Sequence, residues 1–147
     1  DSSNSLQSGR VSEELSVTES GQAPEILPDA QAEQALFEPL KVDALIKELG
    51  LEVVTTLVKK FLTESAERWD ALQKGVAAEE LETISRESHT LGSSCLTFGI
   101  VGAGQRFRQI EAQVKAGETI AMSALRAVEQ PLVVGIQKLE ARLRDDA

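Results

Sequence analysis

The sequence predicts an all-α fold: an antiparallel, up-and-down four-helix bundle with a short additional N-terminal helix. Three observations predict it. Apolar residues recur at steps of three and four along most of the chain after Asp29, the spacing of one helix face. No segment shows strand-type alternation, and no Asn-Gly type of hairpin turn occurs. The aromatic content is four Phe, one Trp and no Tyr, so the core must come from Leu, Val, Ile and Ala. Short connections between the periodic segments make neighbouring helices antiparallel.

Residues 1–28 read as a flexible linker. They are rich in Ser, Gln, Glu and Gly, with Pro24 and Pro28 near the end, and Leu6, Val11, Leu15 and Val17 are scattered. Such a segment buries too little to order itself. Residues 29–147 are expected to form the helical-bundle domain. Asp29 is placed to cap a short helix through Ala35 or Leu36. Val42, Leu45, Ile46 and Leu49 then follow on one face, and Gly50 is a stop.

The next helix is expected over Leu51–Lys74, ended by Gly75, with Val54, Leu57, Val58, Phe61, Leu62, Ser65, Trp69 and Leu72 as its stripe. A third is expected over Ala78–Phe98, carried by Leu81, Ile84, Ser88, Leu91, Cys95 and Phe98 at steps of 3, 4, 3, 4 and 3. That is the repeat of a helix inside a bundle. A fourth spans Val101–Ala116, with Ala103, Phe107, Ile110 and Val114 inward and Gly117 closing it. Thr119 caps the fifth, whose stripe is Met122, Leu125, Val128, Leu132, Val133, Ile136, Leu139 and Leu143. Pro131 inside that stripe predicts a kink or a break.

Composition excludes several function classes. Lys and Arg number 15 against 24 Asp and Glu, a net charge of −9. A nucleic-acid binder needs basic charge to neutralise phosphates, and an anionic membrane surface needs the same. One Cys and one His make neither a disulfide nor an ordinary zinc site. No apolar run approaches the roughly 20 residues of a membrane span, and no signal peptide is visible at the start. The chain begins at Asp1 and is expected to be part of a longer protein. The GxSxG and GxxxxGK[ST] motifs are absent. The run Gly99–Gly104 follows a helix rather than a strand, which removes the dinucleotide reading. Glu79 and Glu80 suit a solvated helix start.

Chemistry therefore converges on His89. On the third helix its direction lies about 130° from the centre of the core stripe, at 100° per residue. It is expected to face solvent or the edge of the buried face. Its helical neighbours are Ser85, Arg86, Gly92 and Ser93. Three of these are small, which predicts an open spot that another protein's active site can cover. Leu96, two turns along, is expected to add an apolar docking contact, and Arg86 to hold phosphoryl oxygens. Neutral imidazole is a competent nucleophile near neutral pH, its ordinary pKa being about 6.5. Attack on an acyl phosphate gives a phosphohistidine still able to pass the group on.

The segment Ser88-His89-Thr90-Leu91-Gly92-Ser93-Ser94-Cys95-Leu96-Thr97-Phe98-Gly99 resembles the signature of histidine-containing phosphotransfer (HPt) domains. Ser88, His89, Leu91, Phe98 and the Gly99 ten positions after the histidine fall in place. Downstream, Ile110-Glu111, Lys115 and Gly117 resemble the family's fourth-helix pattern, and LGLEVVTTLVKKFLTES is similar to its entry into the second helix. The resemblance covers about residues 36 to 144. The family's Lys three after the histidine is Gly92 here, and its following Gly is Ser93.

The resemblance implies a four-helix bundle and a phosphorelay carrier, part of a two-component system. It implies that His89 accepts a phosphoryl group from a receiver-domain aspartyl phosphate and passes it to another receiver's Asp. The surface of Ser85, Arg86, Gly92, Ser93 and Leu96 would dock the receiver. No cofactor or metal is expected on this chain, Mg²⁺ belonging to the receiver, and no ATP site. Response-regulator receivers are the expected partners, with no nucleic acid and no direct membrane contact. A monomeric, cytoplasmic domain at the C-terminus of a hybrid sensor histidine kinase fits the Ser-rich lead. Two alternatives stay open: the phosphoacceptor domain of a chemotaxis-type histidine kinase, and a non-catalytic helical adaptor.

Overall fold

The structure is a computed structural model and describes residues 36–146. The expected linker and the helix expected from Asp29 lie outside these residues, apart from Leu36, which is helical. Among the described residues there are five helices and no strand. They are α1 (Pro39–Leu49), α2 (Leu51–Ala77), α3 (Leu81–Thr97), α4 (Val101–Lys115) and α5 (Met122–Asp146). Helix α3 packs between α2 and α4, α5 closes the ring against α4 and α2, and the short α1 lies across α2 and α5. The expected bundle with a short N-terminal helix is the fold found.

Each helix starts and stops for a local reason. Pro39 at the first turn of α1 has the fixed φ a helix start needs. The Glu38 carboxylate accepts from the Leu40 N–H at 3.0 Å and caps that turn. Gly50, Gly99 and Gly117 take positive φ at three of the four turns. Helix α2 runs through Gly75 rather than ending there, because Gly75 is buried where a side chain would strike Thr83, 2.9 Å from an added Cβ. The turn comes later, with Glu79 at φ 55 and its neighbour's N–H bonded back to the Gly75 carbonyl at 2.9 Å. Helix α3 consequently starts at Leu81, three residues after the expected start, and Leu81 points outward rather than into the core.

Phe107, Leu72, Ile84, Leu91, Leu125 and Leu139 are among the largest side chains wholly removed from water. Each such burial contributes about 1.5–3 kcal/mol relative to exposure. Phe61 packs on Phe98 with the rings tilted by 40° and their centroids 5.0 Å apart, and Trp69 meets Phe107 edge-on at 6.0 Å. Leu57, Met122 and Val133 are exposed despite their place in the expected stripes. They sit at the borders of stripes wider than the buried face. Helix α5 continues unbroken through Pro131. Buried Val128 and Leu132 on either side hold its course, against the interior-proline penalty of about 3 kcal/mol. Arg142 ties α5 to α1 through Asp43 at 2.6 Å.

Candidate functional site

The site is built from adjacent faces of α3 and α4. His89 stands midway along α3 with its side chain 62% exposed, on the solvent side where the helical angle placed it. Directly beneath, Ser88 is wholly buried and its hydroxyl donates to the Ile84 carbonyl at 2.6 Å. A small residue before the histidine thus lets α3 press into the bundle while the next side chain emerges.

The imidazole has a partner on α4. His89 Nδ1 lies 3.0 Å from Glu111 Oε2 and 3.2 Å from Oε1. Lys115, one turn further along α4, reaches the same Oε2 at 2.9 Å. The Glu111 side chain is largely covered, at 14% exposure. The Lys115 hydrogen bond, with the His89 bond and charge behind it, holds the Glu111 carboxyl below its ordinary range despite the opposing effect of burial. The carboxylate is therefore ionised at neutral pH and can only accept. Nδ1 must carry the proton of that bond, which leaves the lone pair on Nε2, the outer nitrogen.

The faces approach closely because glycine meets glycine. A Cβ at Gly92 would stand 3.3 Å from both the Gly104 carbonyl oxygen and Phe107 Cβ, and 3.4 Å from Arg108 Cγ. Gly92 is buried. Its missing side chain serves helix packing, not the open access expected of it. Leu96 is half-buried rather than freely exposed, because it fills the hollow over Gly104, 2.7 Å from where a Cβ there would lie. Arg86 is exposed but its Nε bonds Glu87 at 3.2 Å. Arg68 reaches the same carboxylate from α2 at 3.0 Å. Glu87 is 6% exposed, so this pairing satisfies a carboxylate that would otherwise be costly to bury. Ser85 and Ser93 are half-buried beside the histidine. Their carbonyls accept from the Ser88 and Thr97 hydroxyls.

The Hpt domain family matches residues 56–145. The chain belongs to that family. This Hpt domain is also 32% identical over 83 residues to the phosphorelay protein LuxU of Vibrio cholerae, covering 56% of this chain and 74% of the relative. No solved structure matches it significantly. The family expected from the Ser88–Gly99 segment is the family found. His89, Ser85 and Ser93, grouped by their helical spacing, lie together on α3, with His89 exposed and the two serines half-buried. Site reasoning from the sequence passed over Glu111 and Lys115 as site residues, although the Glu111-to-Lys115 spacing of one helical turn was the available signal. Among the described residues no group of three His, Cys, Asp or Glu is placed to hold a metal ion. No described helix is long and apolar enough to cross a membrane.

Proposed function

We propose that this Hpt domain carries a phosphoryl group on His89 Nε2 between two response-regulator receiver domains. The observation that carries the reading is the bond from Nδ1 to Glu111, which fixes the tautomer and leaves Nε2 as the exposed nucleophile. In the loading step Nε2 attacks the phosphorus of a receiver's aspartyl phosphate. An N–P bond forms, the P–O bond to the carboxyl group breaks, and its electron pair leaves with the aspartate. The ring keeps its Nδ1 proton and gains positive charge, which the Glu111 carboxylate faces and stabilises. No base is needed, because no proton is transferred. The reverse sequence delivers the group to the next receiver.

The receiver supplies Mg²⁺ and the groups that activate the acyl phosphate, while this chain supplies a positioned imidazole. Ser85 and Ser93 leave room around the ring for the receiver's active site. The Ser- and Glu-rich residues 1–28 suit a tether to a donor domain, which would raise the donor's effective concentration. The test is transfer itself. Receivers charged to the aspartyl phosphate, with Mg²⁺, are expected to place acid-labile, alkali-stable label on the wild type and none on His89→Gln. Equal labelling of His89→Gln would refute the assignment, and absence of label from every receiver would refute the relay reading.

A further inference from the structure

Resting on that reading, we infer that Arg108 of α4 is the cation that contacts the phosphoryl group on His89. A phosphoryl group on Nε2 brings nearly two negative charges to a spot flanked by three cations: Arg86, Lys115 and Arg108. Arg86 is held by Glu87 at 3.2 Å, and Lys115 by Glu111 at 2.9 Å. Arg108 makes no ion pair or side-chain hydrogen bond with any described residue, and it is exposed.

Its stem is nonetheless placed. Arg108 Cγ lies 3.4 Å from the point where a Cβ of Gly92 would stand. Gly92 follows His89 by three residues, so it is the next position along the same helix face, about 5–6 Å away between Cβ positions. The arginine stem thus covers the glycine, one helical turn from the imidazole, and its guanidinium would reach a phosphoryl group on the ring. A side chain that grew from position 92 would compete for that space. The bare glycine on α3 and the arginine lying over it from α4 together are the features that would bring one cation to the ring. A guanidinium there can offer two N–H groups to two phosphoryl oxygens.

The decisive readout is the equilibrium partition of phosphate between this domain and a receiver. A contact used only in docking changes both transfer rates by the same factor and leaves the partition between the free proteins alone. A contact to the phosphoryl group moves it. Arg108→Gln keeps the Cβ and Cγ over Gly92 and removes the charge. It is expected to shift the partition toward the receiver by about two- to fivefold, the range of an exposed ion pair, while Arg108→Lys retains most of the wild-type value. Circular dichroism of both variants checks that the fold is unchanged. An unaltered partition in Arg108→Gln overturns the inference, even if the rates fall. Phosphoramidate serves as a second, partner-free donor. If neither it nor any charged receiver labels His89 in the wild type, the carrier reading fails and this inference fails with it. Label on His89 with an unmoved partition removes the Arg108 role alone.

Discussion

Gly99, ten positions after His89, is a stringent test of how the bundle is held together. It takes φ +83 in the turn between α3 and α4, and a Cβ on it would stand 2.3 Å from the Glu38 carbonyl oxygen. Replacing it with Ala forces a non-glycine residue into the left-handed region, at about 1–2 kcal/mol. The segment around Glu38 must also retreat. That movement breaks the bond from the Glu38 N–H to the Gly99 carbonyl, now 2.7 Å, for about 1 kcal/mol more. No helix-propensity gain offsets these costs, because Gly99 is outside both helices. The expected loss is about 3 kcal/mol, a fall in Tm of roughly 12 °C for a domain this size.

Urea and thermal unfolding followed by circular dichroism measure it. Gly99→Asn separates the two causes, since Asn tolerates positive φ but brings the same Cβ against Glu38. It is expected to lie between wild type and Gly99→Ala. A loss below about 0.5 kcal/mol in Gly99→Ala, the scatter of ordinary surface changes, would refute the argument from both strain and contact.

Two further outcomes concern titration and reactivity. Glu111 is held below its ordinary pKa chiefly by Lys115, so its ionised, His89-orienting form is present at neutral pH and lost only as pH falls through that depressed value. Lys115→Met is expected to raise the midpoint of the Glu111 carboxyl ¹³C titration; an unmoved midpoint would remove Lys115 as the cause. Burial pushes the Cys95 thiol up to about 12, so native protein is expected to resist iodoacetamide at mildly alkaline pH and react on unfolding, and rapid native alkylation would contradict that burial.

Much of this fold was legible because helical periodicity reports a buried face directly. Ala103, Phe107, Ile110 and Val114 all point inward as their spacing required. Periodicity does not report what lies across the interface, and the misreadings follow from that. Gly92 and Gly75 look alike in sequence to an open surface position or a helix stop, yet both are places where a neighbouring side chain or helix comes too close for a Cβ. Leu96 keeps its helical angle but folds over Gly104, a residue eight positions away on another helix. His89 was found from its own helix alone. Glu111 required knowing that α4 lies beside α3, a relation between segments that no single stripe encodes.

His89 stands midway along α3, about 12 Å from either end of the helix, and Glu111 occupies one of its two ring nitrogens. A single atom on a single flank is left for exchange. On the proposed relay role, a protein that loads the histidine and one that unloads it would use the same ground and exclude each other. Relay through this domain would then be a ping-pong sequence in which the donor departs before the acceptor arrives. In that scheme an excess of acceptor is expected to inhibit loading, and a partner that docks more tightly is expected to slow the relay it serves.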